Sequence, residues 1–281
     1  MGKSVLLLLL TTFAFPSHST ILPENNYSIP ISEKNEGLSE AQYNLTIDKV
    51  EKIYRPIVAK LGLKLKIERL WKDPRVNAGT IRAGREVILK MYGGYARHPL
   101  ITEDAFALVL CHELGHHLGG TPRKDLYGRG PEWPSTEGQA DYFATLKCLR
   151  KVFQKEMNTE IVEKLEVPEV VQNNCSKSFP TDWEKAICIR TSIAGLNNSY
   201  ISSQIRGVEN PQFETPDPTV VEKTYEGHPA PQCRLDTYFQ GSICEVPSII
   251  SVSASDETTG TCHGENGINL GLRPLCWFKP R

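Results

Sequence analysis

The segment CHELGHH, residues 111–117, has residue types and a spacing that can bind a metal ion and activate water. On a helix with about 100° per residue, His112 and His116 lie about 40° apart, so both imidazoles can reach one ion. Glu113 lies beside that face, where its carboxylate can contact a water molecule without joining the ligands. The pattern predicts zinc-dependent hydrolysis, with two neutral nitrogen ligands and a carboxylate that accepts a proton from water.

The helix around this segment is expected to be buried. Its flanks, AFALVL and LGHHLGG, are apolar around most of the circumference. Two histidines and a glutamate are costly to bury there unless a metal ion compensates them. The remaining histidine, His117, lies about 140° from His112, close to Phe106 and Leu110. We therefore expect His117 to be structural.

A third ligand is expected from the segment STEGQADYFA, residues 135–144. On its own helix Glu137 shares a face with Asp141 and with small residues that allow close packing. Glu137 alone is better explained as an acidic residue stabilised by the helix dipole, but its combination with the first segment favours a metal ligand. Asp141 is then expected to accept the Nδ1 proton of a ligand histidine. Two histidines and one glutamate leave a fourth position for water, as in catalytic zinc sites.

His-Glu-x-x-His followed by Glu-x-x-Ala-Asp resembles the gluzincin metallopeptidases, and more narrowly the family of the CAAX prenyl protease, HtpX, Oma and BepA. The resemblance covers roughly residues 45–240 and extends to VNAGTIRAGREVILKMYGG, ITEDAFALVLCHELGHH and HPAPQCR. It implies a zincin-like fold and an endopeptidase in which His112, His116 and Glu137 bind one zinc ion. Glu113 would act as general base and then as general acid.

The same resemblance implies roles for residues outside these motifs. His228 or Arg234 would lie over the site, where either could steady the tetrahedral oxyanion or close the open position of the metal. Closure by His228 would instead make the chain a catalytically silent zinc module that binds proteins or acts like a chaperone. The strand residues that would bind an extended protein or peptide substrate, by strand addition, are Asn77, Ala78, Gly79, Thr80 and Ile81.

The surrounding pattern predicts the elements that must position these residues. A small mixed sheet with an edge strand precedes the first site helix and further helices follow, which indicates an α+β fold. Thr102 is the expected N-cap of that helix, which ends at Gly119–Gly120. The other predicted elements are a helix over 39–61, strands over 63–71 and on either side of Ala83–Gly84, helices over 136–157, 159–166 and 182–206, and an extended segment over 209–231.

The N-terminal residues 1–19 are typical of a signal peptide, with Lys3 before the apolar run VLLLLLTTFAF and small residues around Ser19. A buried helix or a membrane anchor is the alternative, but the run is short for a bilayer span of ~20 residues, so we expect no transmembrane span in the mature chain. The remaining predicted divisions are a loose segment over 20–38, a metallopeptidase domain over 39–240 and a tail stapled by disulfides over 241–281.

The chain has eight cysteines and no Cys-x-x-Cys. This predicts disulfides in an exported protein, periplasmic or secreted, rather than a cysteine zinc site. A formal net charge of −1 argues against nucleic-acid partners. Sequence proximity favours the pairs Cys175–Cys188, Cys233–Cys244, Cys262–Cys276 and, by remainder, Cys111–Cys148.

Overall fold

The computed structural model describes residues 18–32, 36–126, 128, 130 and 132–280. A four-stranded sheet in this part of the chain has the strand order β1-β3-β4-β2. The sheet is mixed, because β2 runs parallel to β4 while β3 is antiparallel to both β4 and β1. The predicted α+β class and the small mixed sheet are confirmed. The strands are β1 (His18–Thr20), β2 (Lys64–Leu70), β3 (Ala78–Ala83) and β4 (Glu86–Tyr92).

Strand β1 differs from the expectation of a signal peptide over residues 1–19. His18 and Ser19 belong to the sheet, while residues 1–17 lie outside the described part of the chain. Because β1 pairs with β3 along its whole length, β3 is not an edge strand. The prediction of an open edge at residues 77–81 is therefore wrong for this chain.

Most of the remaining described elements are helices. Predicted helices are confirmed at α1, α3 and α8, whereas the one predicted over 136–157 contains a π-helical turn and ends at Phe153. Helix α7 was not predicted. Helix α9 was also missed, because Pro231 in its first turn continues a proline-rich stretch of sequence. Proline is nevertheless favoured in the first turn of a helix. The helices are α1 (Glu40–Lys60), α2 (Gly93–Ala96), α3 (Glu103–Leu118), α4 (Glu137–Phe143), the π turn (Ala144–Cys148), α5 (Leu149–Phe153), α6 (Asn158–Val162), α7 (Glu169–Ser178), α8 (Asp182–Arg206) and α9 (Pro231–Ile243).

Helix α3 lies in the core, as its apolar sequence predicts. It begins at the predicted N-cap, where Thr102 Oγ1 accepts a hydrogen bond of 3.1 Å from the Ala105 N–H. Every residue from Ala105 to His117 is buried. The helix contacts strand β3 of the sheet and helices α1, α4 and α8. The histidines of the first motif therefore lie inside the protein.

Helices α3 and α4 approach each other closely at Gly115. A Cβ atom at this position would lie 2.9 Å from Ala140 Cα, which is too close for a side chain. Cys111 of α3 also forms a disulfide with Cys148, at the end of the π turn that follows α4. This packing brings the side chains of α4 next to those of the metal-binding motif on α3.

Four disulfides link the described residues: Cys111–Cys148, Cys175–Cys188, Cys233–Cys276 and Cys244–Cys262. The first two agree with the predicted pairs and the last two do not. Disulfides in this number indicate an oxidising environment outside the cytoplasm. Among the described residues, no helix combines the length and the apolar character that a membrane crossing needs.

The predicted pairing of Cys233 with Cys244, and so of Cys262 with Cys276, is wrong because a helix separates the first two residues. Cys233 lies in the first turn of α9 and Cys244 directly follows its last residue. At 1.5 Å per residue the two Cα atoms are about 16 Å apart, whereas a disulfide requires about 4.4–6.8 Å. Each cysteine therefore pairs with a residue of the tail instead.

The cysteine-containing tail packs against α4. Trp277 is fully buried, and a Cβ atom at Gly138 would lie 2.2 Å from its indole ring. The Tyr142 hydroxyl donates a hydrogen bond to the carbonyl of Gly271. The tail therefore helps to hold the helix that carries Glu137.

Candidate metal centre

Helices α3 and α4 bring together three side chains that could hold a metal ion. Among the described residues, His112, His116 and Glu137 form a group whose ligand atoms all lie within 4.8 Å of one another, and all three are buried. His112 Nε2 lies 3.1 Å from His116 Nε2 and 3.2 Å from Glu137 Oε2. His116 Nε2 lies 3.6 Å from the same oxygen. These are the residues that the sequence predicted as ligands.

The protons of both imidazoles are directed away from this group. His112 Nδ1 lies 2.7 Å from Asp141 Oδ1, and His116 Nδ1 lies 2.9 Å from the carbonyl oxygen of Ser135. A backbone carbonyl only accepts, and so does an ionised carboxylate, so each Nδ1 carries the proton. In neutral rings each Nε2 then presents a lone pair. Glu137 Oε2 is a third acceptor and has no hydrogen-bond partner among the described residues.

Three potential ligand atoms that face each other in the core are stabilised by a cation between them, either a metal ion or a proton. Tetrahedral zinc with bonds of about 2.0–2.1 Å separates its ligand atoms by about 3.3–3.4 Å. The observed separations of 3.1, 3.2 and 3.6 Å lie around that value. The residues present therefore fit a bound metal ion in both chemistry and spacing.

The other carboxylate oxygen of Glu137 is held by a lysine. Lys124 Nζ donates a hydrogen bond of 2.6 Å to Glu137 Oε1 and one of 2.9 Å to Ser19 Oγ. Burial raises the pKa of Glu137, but the nearby His116 and Lys124 outweigh it, so this pKa is well below its usual value. Lys124 was not predicted, because nothing in the loop sequence distinguishes it from the neighbouring Arg123.

The pKa values of the two ligand histidines differ because only His112 contacts a carboxylate through Nδ1. Burial lowers the pKa of His112, but the carboxylates of Asp141 and Glu137 outweigh it and raise this pKa to about 9. Burial lowers the pKa of His116 to about 3. Without a metal ion, a proton in the group therefore resides on His112 and not on His116.

Asp141 is buried at the meeting point of three elements. Besides His112, it accepts hydrogen bonds from Arg234 Nε at 2.8 Å, Arg234 Nη2 at 2.7 Å and the Tyr238 hydroxyl at 2.6 Å. Burial raises the pKa of Asp141, but Arg234 and His112 outweigh it and lower this pKa to about 2. The carboxylate is therefore ionised and orients the His112 ring, the role predicted for it.

Arg234 differs from the expectation that it lies over the metal position. Its guanidinium lies behind Asp141 and also donates to the carbonyl of Ile21. Tyr238 was missed although it follows Arg234 by four residues, because α9 itself was not predicted. On a helix that spacing places both side chains on one face.

The carboxyl group of Glu113 is buried without a hydrogen-bond partner among the described residues, and its pKa is raised. Both of its carboxylate oxygens are buried and have no hydrogen-bond partner within the described chain. Burial raises the pKa of Glu113 to about 8. A buried carboxyl group without a partner is rare in folded proteins and is a mark of functional sites.

His117 points away from the group, as predicted. Its Nε2 lies 2.7 Å from Thr80 Oγ1, and its ring stacks on Trp133 with 4.4 Å between centroids. These contacts connect α3 to strand β3 and to the loop before α4. His117 is therefore a packing residue.

His228 reaches the rim of the group. Its Nε2 lies 3.6 Å from Glu137 Oε2 and 2.7 Å from the carbonyl oxygen of Thr20. Since a carbonyl only accepts, Nε2 carries a proton and donates it to Thr20. This nitrogen is thus not available as a metal ligand while the hydrogen bond persists.

The predicted substrate-binding strand is covered by the N-terminal residues of the same chain. Gly79, Thr80 and Ile81 of β3 pair with residues of β1. The Asn77 side chain bonds to both the N–H and the carbonyl of Leu22, at 3.2 Å each. The segment at residues 77–81 therefore binds an extended strand, which here is the chain itself.

No protein-family model matches this chain, nor does any curated protein or any solved structure.

Proposed function

We propose that this protein is an exported zinc-dependent endopeptidase with a zincin-like fold, related to the gluzincins that its two motifs resemble. The observation that supports this most is the set of three buried potential ligand atoms, His112 Nε2, His116 Nε2 and Glu137 Oε2, which all lie within 4.8 Å of one another. Two imidazoles and one carboxylate are a donor set that suits zinc and leaves a position for a reactant. The disulfides agree with export.

The zinc ion would supply a Lewis acid that activates water and polarises a peptide carbonyl group. Glu113, in the ionised form that the charge of a bound metal ion would favour, takes the proton of the attacking water at its carboxylate and transfers it to the leaving amine. Its lack of other partners leaves both oxygens free for this exchange. Asp141 keeps His112 in the tautomer that ligates through Nε2.

His228 acts as a hydrogen-bond donor at the rim of the centre. Its Nε2 already donates to a backbone carbonyl beside the ligand group, as it would to the carbonyl of a substrate. This contact favours the catalytic function over the silent zinc module, in which His228 would occupy the fourth coordination position of the metal ion. The ammonium group of Lys124 places a positive charge beside Glu137, in addition to that of the zinc ion.

The replacement Glu113→Gln tests the proposal. The variant should bind one zinc ion per chain, measured by elemental analysis, while hydrolysis of unfolded casein falls by about 10²–10⁴-fold. The exposed Glu265→Gln is the matched control and should keep both properties. Wild-type rates in Glu113→Gln would rule out this mechanism. A wild-type protein that holds zinc but binds no hydroxamate and cuts nothing would instead be the silent module.

A further inference from the structure

The N-terminal residues 18–22 run directly past the metal centre. Ser19 is 4% exposed, and Ile21 and Leu22 are 0% and 1% exposed, so these three residues lie inside the protein, whereas Thr20 is half-buried and His18 is exposed. Its strand, β1, contacts helix α3 as well as β3. No catalytic role requires residues 18–22 to lie there.

The direction of one peptide bond in this segment is set by the sheet. The Ile21 N–H donates a hydrogen bond of 3.2 Å to the carbonyl of Ala78. In a trans peptide the N–H of one residue and the carbonyl of the residue before it point in opposite directions. The Thr20 carbonyl therefore points away from β3. There it accepts the hydrogen bond of 2.7 Å from His228 Nε2, a nitrogen that is 3.6 Å from Glu137 Oε2.

Side chains of the metal centre hold the segment on both sides of that carbonyl. Lys124 Nζ joins Ser19 Oγ to Glu137, at 2.9 and 2.6 Å. Arg234 joins the Ile21 carbonyl to Asp141. Three of the side chains that hold residues 18–22, those of Lys124, His228 and Arg234, thus also contact carboxylates of the metal centre, where a bound peptide substrate would have to lie.

We propose that residues 18–22 occupy the peptide-binding groove of the metal centre as a built-in ligand, with the Thr20 carbonyl in the place of the reactive carbonyl of a substrate. This rests on the proposed peptidase function. Outside peptides must displace the segment, so the apparent dissociation constant is the intrinsic one divided by the fraction of molecules with an open groove. Because β1 is only 3 residues long, we expect that fraction to stay above zero and wild-type activity to be reduced rather than abolished.

The built-in ligand also indicates which peptides the groove accepts. The side chain after the reactive carbonyl is that of Ile21, which is wholly buried in the main hydrophobic core. Ser19 precedes Thr20, the residue that carries this carbonyl, and the Ser19 hydroxyl contacts Lys124. The groove therefore takes extended peptides with a small hydroxyl residue, one further residue and then a branched aliphatic residue.

Proline and alanine at position 19 separate strand pairing from the hydroxyl contact. The register places Ser19 opposite Thr80, and in antiparallel pairing the residues next to Thr20 direct their backbone groups to β3. Ser19→Pro removes a donor from this ladder and should release β1. Ser19→Ala keeps the donor and loses only the contact to Lys124.

The probe is a fluorescent peptide with the sequence SHSTILPE, residues 17–24, and the measurement is anisotropy with metal-free protein. The full chain is refolded under oxidising conditions, and its intact N-terminus is checked by sequencing. We expect Ser19→Pro to bind the peptide at least ten times more tightly than wild type. Ser19→Ala should remain within threefold of wild type. Equal affinities of wild type and Ser19→Pro, or no binding by either, would overturn the proposal.

Hydrogen exchange of the wild type provides a second measurement in case Ser19→Pro does not fold. Saturating isotope-labelled peptide should speed exchange of the backbone amides at residues 18–22, because both ligands need the same groove. Unchanged protection of these amides with peptide bound would overturn the proposal. Both measurements use metal-free protein, so their failure is distinct from failure of the hydrolysis test with Glu113→Gln.

Discussion

His112 Nδ1 donates a hydrogen bond of 2.7 Å to Asp141 Oδ1, and Arg234 holds both oxygens of the same carboxylate. The three residues come from α3, α4 and α9, so one buried carboxylate connects three helices. Its charge is balanced by Arg234, which allows it to remain ionised in the core. The orientation of a candidate metal ligand thus depends on a helix that contributes no ligand of its own.

Replacing Asp141 should weaken metal binding without removing a ligand. In Asp141→Asn the His112 ring loses a charged acceptor and Arg234 is left buried with a weaker partner. We expect zinc affinity to fall by about 10–100-fold, the range found for partners of ligand histidines. Competition with a chromophoric chelator measures this. Asp256→Asn, in an exposed loop, is the control, and equal affinities in the two variants would contradict the role of Asp141.

The contact between α4 and the tail predicts a large effect of adding one methyl group. In Gly138→Ala the new Cβ would lie 2.2 Å from the ring of the buried Trp277. Overpacking of this kind lowers the free energy of unfolding by about 1–3 kcal/mol. Gly264→Ala is the matched control, because its Cβ meets no atom within 4 Å, and its stability should change by less than about 0.5 kcal/mol. Urea denaturation with intact disulfides compares the two, and similar midpoints would show that the tail does not pack on α4.

The buried Lys147 is expected to make a contribution to stability that rises with pH. Burial lowers the pKa of this residue from 10.5 to about 7, while its Nζ donates to the Pro247 carbonyl at 2.9 Å. Between these two values this residue binds more protons in the unfolded chain than in the folded one, so the contribution of Lys147 to the free energy of unfolding increases with pH. Lys147→Met lacks this dependence. The variant should be more stable than wild type by roughly 2–4 kcal/mol at pH 7, and the difference should shrink as the pH approaches 10. Denaturation curves at pH 7, 8 and 9.5 test this, and a constant difference would mean that Lys147 titrates as in water.

Local patterns were sufficient to predict the ligand group. The spacing of His112 and His116 places them on one face of a helix, and Glu137 and Asp141 occupy one face of another. Both results depend only on helical periodicity, which the apolar flanks of α3 made visible. The pair Cys111–Cys148 was predicted only as the remainder after the other three pairs, and the structure contains it.

Contacts between distant segments could not be predicted in this way. Lys124 reaches Glu137 from a loop whose path has no periodicity. The bond between His228 and Thr20 joins residues 208 positions apart, and Cys233 pairs with Cys276 because an unpredicted helix prevents the nearer partner. Each of these contacts depends on where packing places a segment rather than on its own residue pattern.

The amino-acid sequence by itself determined the donor types of the candidate metal centre, the faces on which they lie and the acid beside them, because helix geometry relates nearby residues directly. The tertiary structure alone decided what surrounds those donors: Lys124 on Glu137, Arg234 behind Asp141, and residues 18–22 beside the metal centre. The reason is physical. Backbone geometry fixes directions within one element, whereas the position of one element against another results from burying apolar side chains throughout the whole chain.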